Sequence, residues 1–161
     1  MLGMYSCNVG EAISIESKLP NIIEKFAQIA VQDLEIEPTK LLIKETDGRI
    51  TVMFYNSRIR RFFDRSLERR EHIFKSKNEY AASYLAGIFD SNGIFGYKGR
   101  EGAYITKPDL ANQMLLERLG FHTSSGRVLE IKNTKEFIAL IKAYSAKLST
   151  AHMPGNERDL R

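Results

Sequence analysis

The sequence "YLAGIFDSNG", residues 84–93, joins a tight apolar run to four small or polar residues. Its pattern predicts a helix that carries Gly87 in its middle and Asp90 in its last turn. A glycine inside a helix costs about 1 kcal/mol relative to alanine. An acid near the C-terminus of a helix opposes the helix dipole, an effect of about 0.3–1 kcal/mol. We therefore expect contacts elsewhere in the fold to compensate for both residues.

The second half of the chain predicts the order α-β-β-α-β-β-α. A helix over "SKNEYAASYLAGIFD" begins with a capping box, Ser76–Glu79. Two short strands follow around a turn at Gly99–Gly102, and an amphipathic helix then starts at Pro108–Asp109 and stops at Gly120. A second strand pair turns at Gly126 and leads to a closing helix over "NTKEFIALIKAYSAKL".

The first half repeats much of this order. "EAISIESK" predicts a strand, "LPNIIEKFAQIAVQDLEI" a helix, "KLLIKETDGRITVMFY" a hairpin turning at Asp47–Gly48, and "NSRIRRFFDRSLERR" a helix. The segment "GRITVMFYNSRIRRFFDRS" from Gly48 aligns with "GRVLEIKNTKEFIALIKAY" from Gly126. The shared order favours a tandem duplication.

The beginning of the chain aligns with the motif at residues 84–93. Residues 1–9, "MLGMYSCNV", lie over residues 85–93, "LAGIFDSNG", with Gly3 on Gly87 and Asn8 on Asn92. We therefore divide the chain into a first half at 1–75, a second half at 76–148 and a flexible C-terminal tail at 149–161.

Composition bounds the class of protein. The 161 residues are 43% hydrophobic and 27% charged, which is typical of a globular protein. A single cysteine, Cys7, excludes an internal disulfide, and "MLGMYSCNVGEA" lacks the features of a secretory signal. We therefore expect a cytoplasmic protein with no membrane partner. The net charge of +4 is compatible with nucleic acid as a partner, and the three histidines have no zinc-site spacing.

The segment from Leu85 to Gly93 resembles the LAGLIDADG motif of a family of homing endonucleases and intron maturases. The resemblance extends over nearly the whole chain in two degenerate copies. It implies an α+β homing endonuclease-like fold of two αββαββα half-domains, related by a pseudo-two-fold axis in a monomer. It also implies that the two motif helices pack side by side, with Ala86 and Gly87 against Gly3. Small residues at such a crossing let the backbones approach closely.

The same resemblance identifies the positions that matter for catalysis. In active members an acid one position before the final glycine of each motif binds divalent metal, and here those positions are Asn8 and Asn92. Asparagine can offer a neutral carbonyl ligand, but each replacement removes a full charge from a magnesium site. Asp90 is the remaining acid and a weak metal candidate; its alternative role is a cap-like bond to backbone or a salt bridge with Lys98. We expect weak or absent cleavage, and Mg²⁺ as cofactor only where cleavage is retained.

The family binds the major groove of DNA with alternate side chains of its strands, and a two-stranded ribbon fits that groove. The alternative is an ordinary solvated sheet face. Residues 58–77 are the most basic stretch of the chain and could approach flanking phosphates or form a solvated amphipathic helix. We favour the solvated helix, with phosphate contact at Arg69 and Arg70. Further candidates on the strand faces that would contact DNA are Ser14, Glu16, Lys18 and Thr51 in the first half and His122 in the second. The predicted nucleic-acid-binding residues are Lys44, Arg49, Arg69, Arg70, Tyr97, Lys98, Arg100, Tyr104, Thr106, Lys107, Ser124, Arg127 and Lys132.

The leading interpretation is a double-stranded DNA-binding protein of this family with weak or lost metal-dependent cleavage. One alternative is an active Mg²⁺-dependent endonuclease that uses Asp90, Asn92 and Asn8 with backbone carbonyls. A second is an RNA-binding maturase, which needs a basic surface for structured RNA but no metal-binding acids. A third is an α+β interaction module unrelated to the family. Whether the chain is an enzyme stays open at this point.

Overall fold

The computed structural model describes residues 12–150, except for the side chains of Glu71 and Thr150. The first motif helix predicted from the sequence, with Gly3 and Asn8, lies outside the described residues. No helix within the described range is long and apolar enough to cross a membrane.

The first half contains one three-stranded sheet and its covering helices. Strand order is β1-β3-β2, and all pairings are antiparallel. The elements are β1 (Ala12–Ser17), α1 (Pro20–Gln32), a 3₁₀ turn (Pro38–Lys40), β2 (Leu42–Thr46), β3 (Arg49–Tyr55), α2 (Ser57–Glu68) and the short α3 (Arg70–Ile73), which leads into the second half.

The inner face of this sheet packs against α1 and α2. Val52 and Phe54 of β3 are fully buried and share a core with Phe26 of α1 and Phe63 of α2. Because side chains alternate along a strand, Met53 between Val52 and Phe54 faces the other way. The helices thus occupy one side of the sheet, and the opposite side is its outer face.

The second half contains a four-stranded antiparallel sheet of order β4-β5-β7-β6. Its inner face packs Ala103, Leu129 and Ile131 against Phe89 and Phe137 of the helices. The elements are α4 (Glu79–Asn92), β4 (Gly93–Tyr97), β5 (Arg100–Ile105), α5 (Leu110–Arg118), β6 (Thr123–Ser124), β7 (Leu129–Ile131), α6 (Thr134–Ile141) and α7 (Ala146–Thr150). The predicted α-β-β-α-β-β-α order is confirmed.

Both hairpin turns use left-handed backbone conformations. Asp47 (φ 51°) and Gly48 (φ 68°) join β2 to β3, as the sequence predicts. The β4–β5 turn was expected at Gly99–Gly102 and lies instead at Lys98 (φ 49°) and Gly99 (φ 76°). Two successive positive φ values match the right-handed twist of the flanking strands, so the tight turn forms there.

Three predicted helix boundaries are also corrected. α4 is capped by Asn78 and not by Ser76, because the Asn78 side chain accepts a hydrogen bond from the Ala81 amide at 2.9 Å. The same helix continues to Asn92, beyond the predicted end at Asp90. The closing helix is broken into α6 and α7, and α7 passes the predicted start of the tail at residue 149.

The two sheets correspond strand by strand. The order β1-β3-β2 matches β5-β7-β6, while β4 has no counterpart among residues 12–150. The inward pair Val52 and Phe54 corresponds to Leu129 and Ile131, whereas alignment on Gly48 and Gly126 would place Leu129 on outward-facing Thr51. That alignment is one residue out of register because a two-residue turn joins β2 to β3, while residues 125–128 join β6 to β7.

Candidate nucleic-acid interface

The outer face of the second sheet carries a row of three cross-strand neighbours. Tyr104 of β5 pairs with Glu130 of β7, which in turn pairs with Ser124 of β6. Glu130 lies between the buried Leu129 and Ile131, so its carboxylate points away from the core. The sheet therefore presents polar side chains on the face opposite its helices.

A groove of about 370 Å³ runs over this face. It lies between the Lys98–Gly99 turn and the loop that joins β6 to β7. The rings of Tyr97 and Tyr104 are 5.8 Å apart, and the Lys98 ammonium lies 5.6 Å from the centre of the Tyr97 ring. Tyr104 is only 2% exposed, so it forms the floor of the groove. The groove residues are Tyr97, Lys98, Arg100, Tyr104, Ser124, Ser125, Gly126, Arg127, Val128 and Glu130.

The predicted cations of the second half are mostly at the rim. Lys98, Arg100, Lys107, Arg127 and Lys132 are all exposed, as are Thr106 and His122. The Lys132 ammonium is 3.9 Å from the Glu130 carboxylate, a distance that gives a weak ion pair. The Thr106 amide and hydroxyl both donate to the Asn92 carbonyl, at 2.8 and 3.0 Å. The groove therefore brings together six of the residues predicted in the second half and leaves out Thr106, Lys107, His122 and Lys132; the six are Tyr97, Lys98, Arg100, Tyr104, Ser124 and Arg127.

The outer face of the first sheet is built in the same way. Glu16, Thr51 and Lys44 form one row across β1, β3 and β2. The Arg49 guanidinium donates to the Glu16 carboxylate at 2.9 Å in an exposed ion pair. All four residues were predicted from the sequence, and they share this face.

Another row on the first sheet joins the predicted Ser14 to two residues that were not predicted, Met53 and Leu42. Met53 pairs with Ser14 on one side and with Leu42 on the other, and Leu42 is 50% exposed. Glu130 of the second sheet was missed as well. The sequence signal for these residues is the alternation of inward and outward side chains along β3 and β7. Once the buried residues of each strand are known, that alternation assigns Met53 and Glu130 to the outer faces.

Arg69 and Arg70 lie among the helices and not on either outer face. Arg69 is exposed at the end of α2. Arg70 is 15% exposed and pairs with the Asp109 carboxylate at 3.0 Å, which ties α3 to the start of α5. Burial raises the pKa of the neighbouring Tyr84 hydroxyl to about 12, an effect that the Arg70 charge partly offsets. Arg70 thus has a structural partner in Asp109, and its phosphate contact stays a prediction.

The motif helix α4 is buried along its centre. Ala86 is fully buried and Gly87 is also buried, as a close helix contact requires. Their predicted partner, Gly3, lies outside the described residues. The final motif glycine, Gly93, ends α4 and begins β4 directly, and a Cβ atom there would collide with the Phe89 ring. Only glycine therefore fits this junction without a shift of Phe89.

Asp90 is 2% exposed, and its carboxylate is occupied by α7. One oxygen accepts hydrogen bonds from the Ser145 hydroxyl and the Lys147 amide, at 2.5 and 3.1 Å. The other oxygen accepts from the Ala146 amide at 2.9 Å. These donors lie at the start of α7, where a negative charge is favourable. The structure therefore shows the cap-like bond to backbone, and the salt bridge expected with Lys98 is replaced by this contact.

The Lys147 side chain caps the C-terminus of α4 at the same junction. Its ammonium donates to the Phe89 carbonyl at 3.0 Å and to the Gly93 carbonyl at 2.6 Å. These carbonyls lie at the C-terminus of α4, where a cation complements the helix dipole. Burial lowers the pKa of Lys147, and the Asp90 charge opposes that shift. The two helices thus cap each other, which accounts for the acid in the last turn of α4.

The residues at this junction fit a divalent metal poorly. Asn92 supplies a neutral side chain in place of an acid, and Asp90 has hydrogen-bond donors on both oxygens. Within residues 12–150 no group of three His, Cys, Asp or Glu side chains could hold a metal ion. Asn8 lies outside that range, so its predicted role is unchanged.

Two antiparallel sheets with helices on one face define the class of fold, which is that of the homing endonucleases. No protein-family model matches the sequence. No curated protein matches it either.

Similar solved structures include those of the homing endonuclease I-DmoI. A structure from a study of its mesophilic variants has a TM-score of 0.63 at 20% identity, covering 90% of this chain and 94% of that one. I-DmoI in complex with DNA and Mn has a TM-score of 0.61 at 20% identity, with coverages of 87% and 92%. I-DmoI in complex with DNA and Ca has a TM-score of 0.60 at 19% identity, with coverages of 89% and 85%. The predicted homing endonuclease-like fold is therefore confirmed.

Proposed function

We propose that this protein binds double-stranded DNA through the outer faces of its two sheets, with little or no strand cleavage. The observation that carries the proposal is the pair of polar outer faces, one on each half of a fold shared with an enzyme whose structures contain DNA. The expected partner is one duplex that contacts both faces.

The geometry of a strand suits this ligand. Outward residues recur about every 7 Å along a strand, which is close to two base-pair steps of B-DNA. A two-stranded ribbon enters the major groove, where hydroxyl, carboxylate and cationic side chains reach base edges. The exposed cations Lys98, Arg100 and Arg127 at the groove rim are placed to contact phosphates, which give affinity and position. The net charge of +4 has the right sign for that contact.

Impaired cleavage follows from the chemistry of the residues at the end of α4. Hard divalent cations prefer carboxylate oxygens, and both acid positions implied by the family resemblance are asparagines, Asn8 and Asn92. Asp90 would have to give up its bonds to α7 to bind a metal. The I-DmoI structures with Mn and Ca concern that protein, and here the available side chains do not support an equivalent site.

Selection from a randomised duplex pool tests this function. We expect the protein to enrich one long, imperfectly palindromic site, and an absence of enrichment would contradict DNA readout. Incubating the selected duplex with Mg²⁺ or Mn²⁺ then tests the second part of the proposal. Intact duplex is the expected result, whereas stoichiometric cutting at one position would show that the asparagines support catalysis.

A parallel selection from a structured RNA pool tests the maturase alternative. The proposal predicts stronger binding to the selected duplex than to any selected RNA at the same salt concentration, since affinity for either depends on salt. Tighter binding to RNA would favour the maturase.

A further inference from the structure

Two corresponding rows on the outer faces differ in chemistry. Met53 lies between the inward residues Val52 and Phe54 of β3, and Glu130 lies between the inward Leu129 and Ile131 of β7. Since β3 and β7 occupy matching positions in their sheets, Met53 and Glu130 occupy matching positions in the two halves. The first row is Ser14, Met53 and Leu42, and the second row is Tyr104, Glu130 and Ser124.

The second row places an acid where the proposed function places DNA. A carboxylate near phosphates is repelled, so Glu130 is favourable only if it meets a hydrogen-bond donor on a base. Cytosine presents its N4 amino group in the major groove, and carboxylates accept from that group. Lys132, with its ammonium 3.9 Å away, reduces the repulsion. Adenine also has an amino group there, but its neighbouring N7 acceptor repels a carboxylate, so the chemistry of this row favours cytosine.

The first row offers no equivalent polar contact. Met53 has an apolar side chain, and Leu42 beside it is 50% exposed to solvent. Two neighbouring apolar side chains on an otherwise polar face gain by covering an apolar group of the ligand. The C5-methyl group of thymine is the apolar group in the major groove. This row therefore selects thymine.

We propose that the DNA target is asymmetric at this pair of positions, with cytosine opposite Glu130 in one half-site and thymine opposite Met53 and Leu42 in the other. The inference rests on the proposed function, because it assumes that both outer faces contact the same duplex. It goes further by assigning a base preference to each half-site from the side chains of this chain.

The test compares the sites selected by the wild type and by three variants from one randomised duplex pool. Glu130→Gln should reduce the preference for cytosine by about tenfold at one position and leave the rest of the site unchanged. Glu101→Gln is the matched control, since it removes the same charge from an exposed residue of β5 outside the row. Met53→Glu should replace thymine by cytosine in the other half-site and make the site more palindromic.

The outcomes separate the inference from the function on which it rests. If the wild type enriches no sequence, the proposed function itself fails. If the wild type enriches a site with the same base at both positions, or Glu130→Gln leaves the cytosine preference intact, DNA binding stands and the inference is overturned. A thermal unfolding curve for each variant verifies that the compared proteins are folded.

Discussion

Asp90 illustrates how one residue can be unfavourable in its own helix and favourable in the fold. Its negative charge is unfavourable beside the C-terminus of α4. Its carboxylate, however, accepts hydrogen bonds from two amides and one hydroxyl at the start of α7. Hydrogen bonds to charged groups contribute about 1.5–3 kcal/mol each when a partner is removed. The sequence predicted that something must compensate for Asp90, and the compensating residues lie more than fifty positions away.

Replacing Asp90 by asparagine tests this structural role. Asp90→Asn should lower the free energy of unfolding by about 2 kcal/mol, because an amide cannot accept all three hydrogen bonds with the same charge. Urea unfolding measures the change. Asp33→Asn, at the exposed end of α1, is the control and should change stability by less than about 0.5 kcal/mol. Equal stability of the two variants would mean that Asp90 does not hold α7.

Tyr84 gives a prediction for alkaline pH. Its pKa in the folded protein, about 12, lies above the ordinary tyrosine pKa of 10.0, so the folded state holds this proton more tightly than the unfolded chain. The resulting stability is complete below pH 10.0 and is lost as the pH rises towards about 12. Subtracting the pH profile of Tyr84→Phe from that of the wild type should isolate this loss. A constant difference between the two unfolding curves over that range would contradict the account.

At the level of elements, tertiary contacts decide the boundaries that sequence patterns leave open. Helical periodicity in the sequence continues through the residues between α6 and α7. The helix nevertheless breaks there, and the Ser145 hydroxyl donates a hydrogen bond to the Asp90 carboxylate. The break lets α7 contact the first half, since Asn21 of α1 donates to the Ala146 carbonyl. The Asp47–Gly48 turn was predicted because its residues favour positive φ. The other turn was misplaced because lysine, here Lys98, rarely adopts that conformation.

The β4–β5 turn can be tested by substituting its glycine. Gly99→Ala should destabilise the protein by about 1 kcal/mol, because alanine is strained at φ 76° although no atom lies within 4 Å of the added Cβ. Gly126→Ala is the matched control at the other end of the groove, where φ is not in the left-handed region and the nearest atom is 3.8 Å away. Thermal unfolding compares them. A larger loss of stability for Gly126→Ala than for Gly99→Ala would contradict the left-handed turn at Lys98 and Gly99.

On the scale of the whole molecule, the fold was predictable and the details of its surface were not. The apolar patterns and the motif at residues 84–93 were enough to predict two halves with a homing endonuclease-like fold. Met53 follows the predicted Thr51 on the same strand face, and Glu130 lies beside the predicted Lys132, so the strand register does not explain why they were missed. An apolar side chain and an acid are residue types that a basic DNA-binding face does not predict. The role of Arg70 depends on Asp109, which only the folded chain brings near.

Introducing acids at both motif positions tests the proposal that the asparagines limit cleavage. Asn8→Asp combined with Asn92→Asp should introduce or raise Mg²⁺-dependent cleavage of the selected duplex, because two carboxylates supply the ligands that Mg²⁺ prefers. Gel analysis of the cut strands measures it, and each single variant serves as a control. If the double variant binds DNA but remains inert, the two asparagines are not sufficient to explain an absence of cleavage.

The central claim is that duplex DNA contacts the outer faces of the sheets, and the most direct test compares two pairs of arginines. Arg100 and Arg127 are exposed at the groove, whereas Arg58 and Arg61 are exposed on α2, behind the first sheet. Each pair is replaced by glutamine, so both variants lose the same charge. The affinity for the selected duplex is then measured by anisotropy over a range of salt concentrations.

Arg100→Gln with Arg127→Gln should weaken binding and reduce the slope of log affinity against log salt by about two, as expected for two lost phosphate contacts. Arg58→Gln with Arg61→Gln should leave both the affinity and the slope close to those of the wild type. Equal losses in the two variants, or a loss only in the α2 variant, would contradict binding through the outer faces.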